Sequence, residues 1–206
     1  IPTPRYEVLR KADWSEKLSS LRLPVFFKPP EEGSSLDVHR VADREEAREV
    51  AAELFRRHER ILAEEAILGR EITVGILGTQ PLPVVEIVPH RPFYDYEAKY
   101  FSKDTEYNVP ARLDAYIVDS VQSVALRTHE VLGLRDFSRI DMILADETPF
   151  VLEANTIPGF TESSLLPKAA DAWGLPFSKL CVELIGIACR RLAHEEESKK
   201  ERALAS

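Results

Sequence analysis

Apolar and polar residues alternate along two neighbouring runs, 139–145 and 150–155, and this pattern predicts a β-hairpin. The residues between them, 146–149, are of types that favour a turn. With the hairpin centred near Glu147, Asp141 would lie opposite Glu153. In the first strand, one face is predicted to carry Arg139, Asp141 and Ile143, and the other face Ile140, Met142 and Leu144. In the second strand, one face is predicted to carry Val151, Glu153 and Asn155.

The rest of the chain consists of short apolar runs typical of strands and longer runs with helical spacing. Strands are predicted at 23–30, at 61–70 and, as two strands interrupted by Gly78 and Pro81, at 71–87. Helices are predicted at 43–57, 114–132, 167–173 and 179–193. His129 is expected on a helix surface. The residues of the last helix expected to face the core are Leu180, Leu184, Ile185, Ala188 and Leu192.

A turn at Gly69 divides this pattern into two subdomains. The predicted units are 1–70 and 71–193, each with strands and helices. A charged tail, 194–206, follows them and is predicted to be disordered, because it has too few apolar residues to bury.

Composition and charge narrow the class of protein. The chain has 206 residues, 44% hydrophobic and 30% charged, which suits one domain or two small ones. A net charge of −8 argues against nucleic acid as the main partner, and no run approaches the ~20 apolar residues of a membrane span. On one helix, Cys181 and Cys189 would lie ~12 Å apart, too far for a disulfide. They are predicted to be buried thiols in a reducing, cytoplasmic compartment.

The predicted hairpin brings two carboxylates and a carboxamide side by side, at Asp141, Glu153 and Asn155. Oxygen ligands of these types suit Mg²⁺. The alternative is a set of solvated residues on the wet face of an antiparallel sheet, and spacing alone favours it. The loop that follows favours the metal site, because Gly159 can present its backbone N–H to an oxyanion or a phosphate.

Two further stretches carry candidate chemistry. Lys28 ends an apolar run and precedes a Gly-Ser-Ser loop at 33–35, whose backbone N–H groups could approach a phosphate. The common alternative is a lysine that extends to the surface. The stretch 93–111 has neither helical nor strand spacing and holds three tyrosines within 93–100, which predicts a lid over a site. The alternative is an aromatic cluster that fills a core.

Together these residues resemble the D-alanine–D-alanine ligases of the ATP-grasp superfamily. The resemblance covers nearly the whole chain. It implies an α+β, ATP-grasp fold, with a nucleotide between the antiparallel sheets of a small central subdomain, 1–70, and a carboxy-terminal catalytic subdomain, 71–193. The motifs that carry it include Arg139-x-Asp141, the run LEANT at 152–156, Pro158-Gly159, Thr161, Ser164-Leu165 and Pro167.

The resemblance also implies roles for single residues, which divide by ligand. The predicted ATP contacts are Lys28, Ser35, Glu64, Glu65, Ile67, Glu71 and Lys99. The predicted ligands of two Mg²⁺ ions, with Mn²⁺ as an alternative metal, are Asp141, Glu153 and Asn155. The predicted catalytic set is Arg139, Ser34, Tyr100 and the N–H of Gly159, and the second D-alanine would be held by Ser164 and Leu165.

The activity implied is ATP-dependent ligation of two D-alanines through an acyl phosphate, for peptidoglycan precursor synthesis. Two alternatives stay open: another ATP-grasp carboxylate ligase, such as a D-alanine–D-lactate ligase, and a nucleotide-binding module without turnover. Tyr100 favours the dipeptide, because the ester-forming relatives have other residues there. The expected partners are ATP and D-alanine, with neither nucleic acid nor membrane; a homo-oligomer is open for the full-length parent.

Three features depart from the family's pattern. Asp37 stands where the family usually has a second glycine, which places a carboxylate near the expected phosphates. Glu65 stands where the family often has lysine, and its expected role is through the backbone. In the family a complete N-terminal domain precedes the equivalent of residue 1, so that domain is expected to be missing here. The chain alone is therefore expected to bind nucleotide without turnover.

Overall fold

The chain forms two compact units in the computed structural model, which describes residues 1–31, 37–88 and 105–204, with side chains up to residue 197. The amino-terminal unit comprises Pro2–Gly69 and Val88–Glu106. The carboxy-terminal unit comprises Arg70–Ile87 and Tyr107–Ser206, together with Ile1. The sequence predicts a single boundary between residues 70 and 71, whereas the chain passes between the units more than once.

A four-stranded antiparallel sheet forms the amino-terminal unit. Its strands are β1 (Tyr6–Arg10), β2 (Val25–Lys28), β3 (His39–Val41) and β4 (Arg60–Glu65), in the spatial order β1-β4-β2-β3. Helices α1 (Trp14–Ser20) and α2 (Arg44–Leu54) cover one face. The core between sheet and helices includes Leu9, Leu18, Val25, Phe27, Val41, Ala47, Ala51, Leu54, Ile61 and Ala63. Because side chains alternate along a strand, the residues next to these in each strand point to the opposite face of the sheet.

Helix α2 begins at a capping arrangement centred on Asp43. The Asp43 carboxylate accepts hydrogen bonds from the backbone N–H groups of Glu45 and Glu46, at 2.9 and 3.0 Å. The Glu46 carboxylate in turn accepts from the backbone N–H of Ala42 at 2.7 Å. These contacts satisfy N–H groups that have no partner within the helix.

A six-stranded antiparallel sheet forms the carboxy-terminal unit. Helix α3 (Ala115–Val131) covers one face and packs on a core built mainly from two strands, Arg70–Leu77 and Phe137–Ala145. Helices α4 (Leu165–Ala172) and α5 (Phe177–Leu204) follow the sheet in the chain. The strands are β5 (Arg70–Leu77), β6 (Gln80–Pro81), β7 (Val85–Val88), β8 (Glu106–Asn108), β9 (Phe137–Ala145) and β10 (Thr148–Asn155), in the order β10-β9-β5-β7-β8, with β6 paired to β5.

Helices α4 and α5 cover only part of the second face of this sheet. Leu166 of α4 and Leu180 of α5 pack against Leu77 and Val85. The approach is close at Gly75, where a Cβ atom would lie 3.0 Å from Leu82 Cδ1 and 3.2 Å from Leu166 Cγ. Polar residues of β5, β9 and β10 occupy the rest of that face, which is where the candidate site lies.

The last helix differs from its prediction. It continues to Leu204, so the tail 194–206, predicted to be disordered, is helical as far as that residue. The tail is rich in strong helix formers and has no glycine or proline. Arg191 and Glu195 also form an ion pair at 3.0 Å with the favourable helical spacing. Ile185 and Leu192, predicted to face the core, are exposed.

Two predictions about single residues are also wrong. His129 is 5% exposed and lies under the sheet, because it falls on the buried face of α3 with Val121, Ala125 and Thr128. Cys189 is exposed, because it shares the outer face of α5 with Leu192. Both cysteines are free thiols.

Among the described residues, no single helix is long and apolar enough to cross a membrane. One pair of helices, Leu165–Ala172 and Phe177–Glu197, meets the length and composition criteria together, with a bend of 100° between them.

Candidate active site

The hairpin of β9 and β10 places Asp141 opposite Glu153, as predicted, and also places Arg139 opposite Asn155. The turn is tighter than predicted. Asp146 and Glu147 alone form it, both with positive φ, and Thr148 and Pro149 already belong to β10. Proline is tolerated there because β10 is an edge strand.

A β-bulge restores the predicted pairing at the site. Near the turn, Val151 pairs with Met142, and a regular ladder would then place Leu152 opposite Asp141. The register shifts between Val151 and Glu153, so Glu153 takes that place instead. Because of the shift, the prediction that Val151 shares a face with Glu153 is wrong: Val151 belongs to the apolar core, and Glu153 is exposed on the opposite face.

Asp141 is the most enclosed carboxylate of this face, at 8% exposure. Its Oδ1 accepts hydrogen bonds from Thr73 Oγ1 at 2.6 Å and from Arg139 Nε at 2.8 Å. Its Oδ2 accepts from Arg139 Nη2 at 2.7 Å and from Asn155 Nδ2 at 3.0 Å. Three strands therefore orient one carboxylate, and the guanidinium two residues before it in the same strand neutralises its charge.

Thr73 is the member of this cluster that the sequence prediction missed. Strand β5 pairs with β9 so that Thr73 lies opposite Asp141, and its side chain is completely buried. A hydroxyl within a run of β-branched residues carries no local signal of function. Only the pairing of β5 with β9, across 68 positions of sequence, reveals its contact with Asp141.

The donor set of this face is consistent with a hard divalent cation. Asp141, Glu153 and Asn155 supply two carboxylates and an amide on neighbouring strands, and Mg²⁺ is commonly held by one or two carboxylates plus substrate phosphates. Within the described ranges, no group of three or more His, Cys, Asp or Glu side chains could hold a metal ion by itself. The residues therefore fit a metal that takes further ligands from a substrate.

The loop between β10 and α4 is organised around Ser164. Its Oγ accepts a hydrogen bond from the backbone N–H of Thr161 at 3.0 Å and lies 2.8 Å from Thr161 Oγ1. Ser164 is the N-cap residue of α4, and Leu165 opens the helix and packs on the same apolar cluster as Leu166. Gly159 lies close to this serine, since a Cβ on it would be 3.2 Å from Ser164 Oγ. The structure thus places Gly159, predicted to stabilise an oxyanion, beside Ser164, predicted to hold the second D-alanine.

Glu71 lies two residues before Thr73, on the same face of β5, and pairs with Ile143 of β9. It is therefore on the same polar face as Asp141, although the prediction assigned it to ATP and not to the metal. Four other predicted residues, Ser34, Ser35, Lys99 and Tyr100, lie outside the described residues.

In the amino-terminal unit, Lys28 and Glu64 meet on the face of the sheet that α1 and α2 leave open. Strands β2 and β4 are paired, and the Lys28 ammonium forms an ion pair with the Glu64 carboxylate. Glu64 is 8% exposed, so its carboxylate is largely withdrawn from solvent. The two predicted nucleotide contacts are thus neighbours within one sheet.

Glu65 lies on the opposite face from Glu64. Its carboxylate accepts hydrogen bonds from Arg5 Nε at 3.0 Å and Nη2 at 3.2 Å, and its backbone N–H donates to the Arg5 carbonyl at 2.8 Å. The hydrogen bond with Arg5 holds the pKa of Glu65 below its usual value. Its N–H is therefore already engaged within the unit. Ile67 follows β4 and is partly exposed.

Asp37, the departure from the family's glycine, lies in the left-handed region with φ 56°. One carboxylate oxygen lies 3.0 Å from Arg57 Nη2 and the other 2.9 Å from His58 Nε2. Burial alone would raise the pKa of Asp37, but the hydrogen bond with His58 and the charge of Arg57 outweigh it and lower the pKa. The carboxylate is thus committed to the segment after α2.

A buried contact between α3 and β9, which the sequence does not predict, lies next to the candidate site. His129 Nδ1 is 2.8 Å from Ser138 Oγ, and both side chains are buried. Burial lowers the pKa of His129, so its ring is neutral at pH 7. Ser138 directly precedes Arg139, and the pair therefore links α3 to the start of β9.

Comparison with known proteins shows to which family this chain belongs. A family model described as "D-ala D-ala ligase C-terminus" matches residues 1–186. The chain belongs to the D-alanine–D-alanine ligase family. Among curated members, the chain is 42% identical over 195 residues to a D-alanine–D-alanine ligase of Bordetella petrii, covering 91% of this chain and 60% of the relative. A second such ligase, of Syntrophotalea carbinolica, is 39% identical over 193 residues, with 93% and 62% covered.

Solved ligase structures share the fold. The D-alanine–D-alanine ligase of Bacillus anthracis superposes with a TM-score of 0.84 at 34% identity, covering 95% of this chain and 64% of that one. The same enzyme complexed with ATP gives a TM-score of 0.80 at 33% identity. VanG, a D-Ala:D-Ser ligase of Enterococcus faecalis, gives 0.81 at 31% identity, with 91% and 57% covered. The predicted α+β fold with antiparallel sheets is thus confirmed, and the chain spans about three fifths of the length of the curated ligases it matches.

Proposed function

We propose that the protein containing this chain is an ATP-dependent D-alanine–D-alanine ligase that forms D-alanyl-D-alanine for peptidoglycan precursors. The observation that carries the proposal is the bulged hairpin, which sets Asp141 opposite Glu153 and Arg139 opposite Asn155 on one sheet face. Family membership supplies the reaction class. A metal and substrate site would explain why these four polar side chains lie together on one face of the sheet.

The reaction proposed for this site has two steps. A carboxylate oxygen of the first D-alanine attacks the γ-phosphorus of ATP, and ADP leaves. The amine of the second D-alanine then attacks the carbonyl carbon of the acyl phosphate, loses a proton, and expels inorganic phosphate. Both steps depend on positioning and on stabilising negative charge.

The residues of the described sheet face divide this work. Asp141, Glu153 and Asn155 would hold Mg²⁺ ions, which when bound neutralise phosphate oxygens and polarise them. Arg139 forms an ion pair with Asp141 at 2.7 Å. In the proposed reaction its guanidinium would also stabilise a developing oxyanion. Thr73 fixes the orientation of Asp141 from below.

The substrate end of the proposed site lies in the loop before α4. Ser164 would bind the carboxylate of the second D-alanine through its hydroxyl, with Leu165 beside it. The Gly159 N–H would stabilise the oxyanion, and Gly159 lies so close to the serine that a Cβ on it would be 3.2 Å from Ser164 Oγ. The related fold of a D-Ala:D-Ser ligase means that the fold leaves the second substrate open.

For the nucleotide, we infer that the open face of the amino-terminal sheet contributes Lys28 and Glu64. Their ion pair supports the inference, because it holds a lysine against a nearly buried carboxylate instead of letting it extend into solvent. Lys28 would contact phosphate, and Glu64 would lie on the adenine side. The solved relative that is complexed with ATP supports ATP as the nucleotide.

The first test is calorimetric titration of ATP, with and without Mg²⁺, into this chain and into Glu153→Ala. We expect the wild type to bind only with Mg²⁺, and the variant to lose that dependence. Glu130→Ala, an exposed carboxylate on α3, is the control with the same change of charge and should bind like the wild type. Mg²⁺-dependent binding that is unchanged in Glu153→Ala would refute the metal assignment.

Turnover is tested separately, on the full-length parent, with D-alanine, D-lactate and D-serine as second substrates and identification of the product. D-alanyl-D-alanine with release of ADP and phosphate is the expected result. A different product would identify another ligase of the same fold. ATP binding without ADP release in the full-length parent would favour the nucleotide-binding module.

A further inference from the structure

The Asp141 carboxylate is already engaged on both of its oxygens. From the described residues, Oδ1 accepts hydrogen bonds from Thr73 Oγ1 at 2.6 Å and Arg139 Nε at 2.8 Å, and Oδ2 accepts from Arg139 Nη2 at 2.7 Å and Asn155 Nδ2 at 3.0 Å. An ionised carboxylate offers about four acceptor positions. A cation that binds through either oxygen must therefore replace one of these donors.

The three donor side chains differ in whether they can remain beside a bound cation. Thr73 and Asn155 donate from neutral groups. Asn155 uses its Nδ2 atom towards Asp141, so its amide oxygen can face a cation without breaking that bond. Arg139 carries a full positive charge and contacts both oxygens, so a divalent cation on this carboxylate would repel it at short range.

We propose that Arg139 is the resident counter-cation of Asp141, and that binding of a divalent cation displaces it. Its departure frees one position on each Asp141 oxygen, since Nε and Nη2 each occupy one. Thr73 and Asn155 keep the carboxylate oriented during this exchange. The inference rests on the metal site of the proposed function and concerns how that site becomes available to its metal.

The position of Arg139 in the hairpin gives the released guanidinium a second destination. Arg139 pairs with Asn155, the last residue of β10, so its backbone lies where the loop towards α4 begins. That loop contains Gly159 and Ser164, the proposed oxyanion and substrate residues. Metal binding thus makes the guanidinium available to an oxyanion. In return, a group at the loop that takes the guanidinium strengthens metal binding, since coupling between two ligands is reciprocal.

Titration of Mn²⁺ alone, followed by the EPR signal of the free ion, tests the exchange without nucleotide or turnover. Arg139→Gln removes the competing charge and should bind Mn²⁺ at least about tenfold more tightly than the wild type, because a hydrogen bond to a charged group is worth about that factor or more. Arg139→Lys keeps the charge and should restore most of the wild-type value. Arg135→Gln is the matched control: it removes the same charge from an exposed arginine that pairs with Glu195, and should leave the affinity unchanged.

Glu153→Ala establishes that the titration reports this site, and it should weaken Mn²⁺ binding. If Arg139→Gln binds Mn²⁺ no more tightly than the wild type while Glu153→Ala binds it less tightly, the exchange is wrong and the metal assignment stands. If Glu153→Ala has no effect, the metal assignment fails and the exchange fails with it.

The wild type provides a second test through the Nε–H signals of its arginines in ¹⁵N NMR, with the Arg139 signal identified by its loss in Arg139→Lys. Mg²⁺, at a concentration that displaces the bound Mn²⁺, should shift that signal because the hydrogen bond to Asp141 is broken. The Nε–H of Arg191, which donates to Asp136 in the same unit at 2.8 Å, should not move. An Arg139 signal that stays unchanged would mean that the ion pair persists beside the metal, and would overturn the proposal.

Discussion

Replacing Thr73 by valine tests whether the buried hydroxyl orients the Asp141 carboxylate. The change keeps the shape of the side chain and removes only the hydroxyl, whose Oγ1 lies 2.6 Å from Asp141 Oδ1 and 3.1 Å from the Ile140 carbonyl. The single proton can serve one acceptor at a time, and the charged, shorter contact is the stronger one.

The magnitude follows from what remains after the change. A hydrogen bond to a charged group contributes about 1.5–3 kcal/mol. Asp141 Oδ1 keeps its bond from Arg139 Nε at 2.8 Å, so the oxygen is not left unpaired. We therefore expect the free energy of unfolding to fall by about 1.5 kcal/mol, the lower end of that range.

Two measurements check the prediction. Urea unfolding, followed by a probe in the carboxy-terminal unit, should give a lower midpoint for Thr73→Val than for the wild type. Calorimetry should show weaker Mg²⁺-dependent ATP binding, because the Asp141 carboxylate loses one of the four hydrogen bonds that orient it. Thr73→Ser retains the hydroxyl and should recover most of the binding. If valine binds as tightly as threonine while serine does not, the hydroxyl has no orienting role and the reasoning fails.

Three other substitutions follow from the same structure. Asp136→Asn removes a bidentate ion pair with Arg191, and the hydrogen bond in that pair lowers the pKa of Asp136. The wild type should therefore be more stable than the variant above pH ~4. This difference in stability should disappear in acid, as the aspartate is protonated. Urea midpoints measured across pH would check this, and a gap independent of pH would contradict it. Gly75→Ala forces a methyl against Leu82 and should cost about 1–3 kcal/mol. Gly186→Ala meets only the flexible end of the Arg190 side chain and should stabilise α5 by up to about 1 kcal/mol in the same unfolding assay.

Local patterns determined most of the strands and helices of this chain. Period-two alternation placed β9 and β10 within two residues of their observed ends, and the runs around Gly78 and Pro81 separated β5 from β7. These predictions succeed because the apolar side of each element must be buried and its period is a property of the backbone. The same reasoning failed for α5, where both sides are apolar and spacing alone does not say which one is covered.

The tertiary structure decided how the site is assembled. The pairing of Asp141 with Glu153 is achieved by a bulge after Val151 that no residue type announces. Thr73 and His129 contact residues of β9 from other elements of the chain, so these contacts depend on strand order and helix packing. Residue types and periodicity determine which side chains face which way along one element. Contacts between elements depend on register and packing, which are settled only when all the strands and helices of a unit come together.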